Sequence, residues 1–443
     1  MADRGRHLGV FDATMLVMGG IVGSGIFVNP SVVANIVHTP GAILGVWAFG
    51  GLIALAGAFV YAELAARLPK AGGVYAYMRE AFHPAVAFMF GWATLLVGQT
   101  GGIAAIAVAF ARYFRTLVPL PVPDPVVAVA VLAVVVIINC IGVRTGNVAQ
   151  RTFMLLKIVA IATIVLCGLV AFMQGRAGGN PADTNTLVPT TARGWGVIAA
   201  ALTPVMFSYG GWTTTSFVSA ELKNPARDLS RALIYGMLGV VALYLSVNAI
   251  CVLTLGASGL AATKTPAAAV MDRITGSGGA TILSVFVTVS TFGLLTQCLF
   301  TVPRLYQVMA ADGLFFRSVA YISPRRHVPT VAIVLQGVTS AGLAVAGTYE
   351  AILSYTVAGD FFFYGVAALA LIVFVRRGVG TPSYRVPGGT VVTTLFLLAC
   401  VGVMTATVVH DPGHALTGLV ALWLGLPLYF MWQGAIAGAP SVR

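Results

Sequence analysis

Read for apolar runs interrupted by charge, Pro and Gly, the chain divides into twelve stretches: 10–36, 41–66, 84–114, 126–142, 152–173, 195–219, 231–256, 279–303, 329–347, 350–375, 391–409 and 414–435. A helix needs roughly 20 apolar residues to cross a bilayer, and the stretches cluster around that length. The third exceeds it and is expected to tilt or to project beyond the lipid. The pattern predicts an all-α integral membrane protein with twelve transmembrane helices in a single domain. The first stretch lacks a small-residue cleavage site and is longer than the apolar core of a signal peptide, so it is expected to be the first span.

Composition agrees with the pattern. Only 9% of the 443 residues are charged and 58% are hydrophobic, whereas a soluble domain carries about 25% charge. That excludes a soluble two-domain enzyme, a nucleic-acid binder and a secreted disulfide scaffold. The five cysteines, Cys140, Cys167, Cys251, Cys298 and Cys400, all fall inside apolar runs and read as small packing residues. The net charge of +12 becomes informative once it is placed along the chain. With an even number of spans both termini share one side, and the loops and tails of that side hold 18 of the Lys and Arg residues. The other side holds six: Arg112, Arg115, Arg176, Arg193, Lys264 and Arg273. By the positive-inside rule both termini are expected in the cytoplasm, and nucleic acid is not needed to explain the charge.

Two spans carry unusual interruptions. In the first, Gly19, Gly20, Gly23 and Gly25 fall within seven residues. Such a cluster makes either a surface for close helix packing or an unwound stretch whose free N–H groups receive a carboxylate. The sixth span contains Phe207-Ser208-Tyr209-Gly210-Gly211-Trp212 near its middle. Gly-interrupted spans at matching places in two halves point to a binding site near the midplane. Exposed N–H groups suit an anionic oxygen pair and exposed carbonyls suit an ammonium, which together describe an α-amino acid.

Several motifs occur in a fixed order: Gly23-Ser24-Gly25-Ile26-Phe27, Glu63 through Pro69-Lys70-Ala71-Gly72-Gly73-Val74-Tyr75, Lys157, Phe207 to Trp212 followed by Glu221-Leu222-Lys223-Asn224-Pro225, Ser290-Thr291-Phe292-Gly293, Pro303-Arg304 with Ala311-Asp312-Gly313, and Tyr384-Arg385-Val386-Pro387-Gly388. Together they resemble the amino acid, polyamine and organocation (APC) transporter superfamily, most closely its L-type amino acid transporter (LAT) branch. The resemblance implies a LeuT-like five-plus-five inverted repeat with discontinuous helices 1 and 6. Repeat one would run over about 10–173, repeat two over about 195–376, and two extra helices over about 391–435. Helices 1, 2, 6 and 7 would rock as a bundle against a scaffold of helices 3, 4, 8 and 9. Gly23, Ser24 and Gly25, with Ile26 beside them, would bind the substrate carboxylate. Carbonyls near Ile21 and at Phe207, Ser208 and Tyr209 would bind its amine, with Phe207 as a gate and Gly210 leaving room for the side chain.

A lysine inside an apolar helix must find oxygen partners or lose its proton. Lys157 is such a residue, although snorkelling to the interface is an alternative. The resemblance gives it the place that a coupling cation holds in sodium-dependent relatives, with the backbone near Gly20 and the hydroxyl of Ser290 as partners. Sodium dependence is then not expected, leaving exchange or proton-coupled uptake. Glu63 and Glu221 sit at inner helix ends among basic residues and are expected in a salt-bridge network, with a role as proton carriers as the alternative. Asp360, about ten residues into the tenth span, is either a functional acid or a hydrogen-bonding partner of a neighbouring helix. No spacing suggests a metal site, a phosphate loop or a nucleophile, so neither a cofactor nor enzymatic activity is expected.

The broken segments contain no acid to pair a cationic side chain, and the eighth span offers Phe292 but no tryptophan where the resemblance implies aromatic stacking in arginine-handling relatives. A neutral amino acid is the expected substrate, with a cationic amino acid or polyamine as the alternative. The outer loop between spans three and four lacks the cysteine through which animal members join a heavy subunit, so no disulfide-linked partner is expected. The short termini fit the economy of a prokaryotic inner-membrane protein, and a monomer or weak homodimer is expected.

Overall fold

The computed structural model describes residues 9–68, 73–142, 147–175, 192–212, 225–311, 313, 315–324, 326, 328 and 329–437. Among them the chain is helical, without a strand. Its helices are α1 (Val10–Ile21), α2 (Gly25–Val37), α3 (Pro40–Arg67), α4 (Val74–Ala81), α5 (Pro84–Ala93), α6 (Gln99–Leu117), α7 (Asp124–Ile141), α8 (Asn147–Met173), α9 (Ala192–Tyr209), α10 (Pro225–Ala261), α11 (Pro266–Thr275), α12 (Ser277–Thr301), α13 (Pro303–Ala311), α14 (Thr330–Ala346), α15 (Tyr349–Arg377), α16 (Thr390–His410), α17 (Pro412–Trp423) and α18 (Gly425–Ala437). A π-helical turn, Thr94–Gly98, joins α5 to α6.

Nine helices among the described residues are long and apolar enough to cross a membrane, and α1 with α2 forms a tenth when the pair is taken as one span bent by 42°. Every one of the twelve apolar stretches finds a helix, but two of these fall short. The apolar parts of α9 and α14, Gly196–Tyr209 and Thr330–Ala346, are shorter than a full span. For α9 the reason is local: Gly210 and Gly211 stop the helix at Tyr209. The seventh stretch was expected to end at residue 256, and there Gly256 leaves helical geometry with φ 70° inside α10.

Packing divides the helices into two groups. In one, α3 lies along α10, α1 and α2 pack on α10, and α9 packs on α2 and α3. In the other, α6 packs on α12, α7 and α14, and α7 on α12 and α14. Exposed apolar residues such as Phe49, Leu52, Ile137, Leu166 and Val338 lie on the outer faces, where a bilayer removes them from water.

Candidate functional site

Between α1 and α2, Val22, Gly23 and Ser24 stand outside either helix. The last carbonyls of α1 and the first N–H groups of α2 lack intrahelical partners. Partial negative charge therefore collects at Gly19–Ile21 and partial positive charge at the start of α2. Ser24 makes no side-chain cap to α2, and its buried hydroxyl has no hydrogen-bond partner among the described residues.

The second interruption begins where α9 ends. The Gly210 N–H donates to the Phe207 carbonyl at 3.2 Å, and Gly211 turns the chain with φ +100°, a conformation that favours glycine. The two interruptions touch. A Cβ on Gly25 would lie 2.7 Å from Ser208 Oγ and 2.9 Å from Ser208 Cα, and one on Gly211 would collide with the Gly20 carbonyl oxygen. Gly23 faces Leu294 of α12, and the open side of Gly210 faces the Tyr364 hydroxyl of α15. Phe207 is half-buried, whereas Ile26, Ser208 and Tyr209 are buried.

Tyr244 of α10 joins the two interruptions. Its hydroxyl lies 3.1 Å from the Ile21 carbonyl oxygen and 3.1 Å from that of Ser208. A phenol has one proton, so one of these carbonyls always keeps free lone pairs. The ring is fixed between Trp47 and Tyr209, with centroids at 5.6 and 5.1 Å. Sequence reading missed this residue, because a tyrosine in an apolar helix looks like core. The available clue is that a buried phenol needs a partner. Tyr244→Phe is expected to keep the fold and to slow transport about 5- to 10-fold, the scale of one lost hydrogen bond. Initial uptake rates in proteoliposomes, alongside thermal melting of the variant, check this.

Lys157 of α8 is buried, and its Nζ donates to the Gly19 carbonyl at 3.2 Å. The bond falls one residue before Gly20, whose carbonyl instead lies against Gly211. Ser290 is buried on α12 but receives no hydrogen bond from Lys157 among the described residues. The ammonium thus sits at the negative end of α1, where a cation is stabilised.

Asp360 lies half-buried on α15, and a Cβ on Gly98 would come within 2.5 Å of its Oδ1. Gly98 closes the π-helical turn, whose widened ring is held by two hydroxyls: Thr100 donates to the Leu95 carbonyl, and Tyr355 donates to the Leu96 carbonyl at 2.8 Å. Such turns are frequent at functional sites, and this one ends with a glycine against the acid. Asp360 has no hydrogen bond or ion pair among the described residues. One helical turn further along, Tyr364 packs on Trp212 with centroids 4.9 Å apart. Phe292, half-buried on α12, packs against Phe110 at 6.4 Å.

Glu63 lies apart from the interruptions. It pairs with Arg67 at 2.7 Å and accepts the Val386 N–H at 2.7 Å, while Arg67 also donates to the Val379 carbonyl at 3.0 Å. This network fastens the end of α3 to the segment that precedes α16. Burial, followed by the Glu63 charge, pushes the nearby Tyr384 phenol up to about 12. Glu221 lies outside the described residues.

A family model described as amino acid permease matches residues 8–431. The chain belongs to the amino acid permease family. The permease is 31% identical over 435 residues to the human b(0,+)-type amino acid transporter 1, covering 96% of this chain and 88% of that one. It is 30% identical over 384 residues to the rabbit protein of the same name, covering 85% and 78%. To the human large neutral amino acids transporter small subunit 2 it is 28% identical over 439 residues, covering 97% and 81%. The permease is thus an amino acid transporter of the APC superfamily and a multi-pass membrane protein.

Proposed function

We propose that the permease carries neutral L-amino acids by alternating access, as a sodium-independent exchanger in which Lys157 stands where other carriers hold a coupling cation. Proton-coupled uptake is the other coupling mode this arrangement permits. The carrying observation is the meeting of two half-helix ends at Gly23–Gly25 and Phe207–Gly210, with the buried Ser24 hydroxyl unpartnered. The N–H groups opening α2 and the Ser24 hydroxyl would take the carboxylate, and the carbonyls of Ile21 and Ser208, sharing one Tyr244 proton, would take the ammonium. Phe207 covers the site, and Gly210 leaves space for the side chain.

The proposed architecture is the twelve-helix inverted repeat, residues 10–173 and 195–376, with 391–435 outside it. The division of packing into α1, α2, α3, α9 and α10 against α6, α7, α12 and α14 supports a rocking bundle. The permease would sit in the inner membrane with both termini cytoplasmic, as a monomer or weak homodimer without a disulfide-linked partner. Counterflow in proteoliposomes with labelled L-alanine, L-leucine, L-phenylalanine and L-lysine tests the reading, with sodium replaced by choline and with a pH gradient imposed or absent. Saturable counterflow of a neutral amino acid without sodium is expected. No exchange of any neutral member of the set overturns the reading.

A second reading, transport of cationic amino acids, is favoured by one observation. Asp360, without a partner among the described residues, lies one turn from Tyr364, which faces Gly210. A charged hydrogen bond contributes about 1.5–3 kcal/mol, so Asp360→Asn is expected to slow L-lysine uptake about tenfold or more relative to L-leucine if the acid meets the side chain. Equal loss for both substrates would assign Asp360 to the transport cycle rather than to side-chain recognition.

A further inference from the structure

We propose that the permease holds a second binding station for zwitterionic amino acids, at the end of the bundle opposite its termini, through Arg112, Lys264 and Glu350. This rests on the transporter reading above. A cavity of about 460 Å³ opens there between the ends of α2, α6, α10, α15 and α16 and the middle of α9. That volume lies within the range of small-ligand pockets, about 300–1,000 Å³.

The charges around it are incompletely paired. The Arg112 side chain is only 10% exposed, yet its carboxylate contacts are long: 3.8 Å to Asp124 and 3.7 Å to Glu350. A charge-assisted hydrogen bond runs at about 2.7–2.9 Å. Asp124 instead gives its short contact, 2.5 Å, to Arg115. The Arg112 Nε is buried without a hydrogen-bond partner, and the guanidinium is held 4.7 Å from the Tyr349 ring centroid. Lys264 is exposed on the cavity wall with no ion pair among the described residues. The Glu350 side chain, 54% exposed, supplies a negative charge on the same wall as Arg112. Two cations and one acid, with the His410 ring on the same wall, suit a molecule bearing both a carboxylate and an ammonium: the carboxylate faces Arg112 and Lys264, and Glu350 gives the ammonium the partner that a bare carboxylate would leave unused. Apolar lining from Val32, Ile36 and Leu353 receives an aliphatic side chain.

This station is separate from the central site. Pro204 forms part of its lining, and the Pro204 carbonyl accepts hydrogen bonds from Asn29 Nδ2 at 2.7 Å and Ser208 Oγ at 2.9 Å. Asn29 Nδ2 also donates to Ser208 Oγ at 2.7 Å. These bonds latch α2 to α9 between the cavity and the interruptions. An amino acid held above the latch is concentrated on one face of the membrane only, so its effect on transport is sided.

The test compares the apparent KM on the two faces, using membrane vesicles of both orientations and the fastest-exchanging labelled amino acid of the counterflow set. Lys264→Gln and Glu350→Gln together alter exposed groups and leave packing intact; Arg112→Gln is the stronger variant. The double variant is expected to raise the outer KM about fivefold or more, with the inner KM and the maximal rate unchanged. An unchanged outer KM, or an equal rise on both faces, overturns the station while wild-type exchange stands. Absence of exchange by the wild type would strike the transporter reading itself.

Discussion

Replacing Lys157 by alanine is expected to lower amino acid exchange about 10- to 100-fold while the protein still folds, the span that 1–3 kcal/mol of state-dependent contact supports. The argument begins with cost. An ammonium inside a bilayer-spanning helix is expensive, and among the described residues Lys157 reaches only the Gly19 carbonyl, at 3.2 Å. Removing it relieves that cost, so thermal melting is not expected to fall far. What is lost is the positive charge at the carbonyl end of α1, which fixes where the half-helix stops and how it faces the site. Three contacts set that end: Lys157 on Gly19, Gly211 against Gly20, and Tyr244 on Ile21. The first of them comes from α8, outside the group formed by α1, α2, α3, α9 and α10, and is placed to change as that group moves. Lys157→Gln separates charge from hydrogen bonding, because an amide still donates to Gly19. It is expected to be as impaired as Lys157→Ala if the charge matters. Wild-type exchange by either variant in proteoliposomes would remove Lys157 from the mechanism.

How far the site could be read in the sequence depended on the kind of residue. Glycine clusters and a lone lysine stand out against an apolar background, so both interruptions and Lys157 were visible. The helices were visible too, since lipid demands long apolar runs. Tyr244 was hidden because an aromatic is ordinary in such a run, and only the positions of two carbonyls on distant helices give it a role. The π-helical turn at Thr94–Gly98 was hidden for the same reason: its carbonyls are held by Thr100 and by Tyr355, more than 250 positions away. The register of α1 was half visible. A carbonyl near Gly20 was expected to meet Lys157, but tertiary contact of Gly20 with Gly211 passes that bond to Gly19. Arg112, Lys264 and Glu350 come to one cavity only once the helices are assembled, so no linear pattern announced it.

The second large effect is expected at Gly25. A methyl group added there meets Ser208 Oγ at 2.7 Å and Ser208 Cα at 2.9 Å, and a backbone atom cannot rotate away as a side chain can. Gly25→Ala must therefore force α2 and α9 apart at the place where the two interruptions meet. Overpacking of this kind costs about 1–3 kcal/mol, and here the displacement falls on the groups proposed to hold both ends of the substrate. Exchange is expected to fall about tenfold or more, with a lowered melting temperature. Gly23→Ala provides the contrast, since its added methyl lies 3.4 Å from Leu294 Cδ2, a flexible side chain. That variant is expected to melt like the wild type but to show a raised KM, because the methyl crowds the N–H groups before the carboxylate. Ser208→Gly in the Gly25→Ala background removes the Oγ and Cβ but leaves the Cα in place, so it is expected to recover exchange only in part. Wild-type melting and wild-type exchange for Gly25→Ala would show that the two interruptions need not touch, and the shared amino acid site would have to be abandoned.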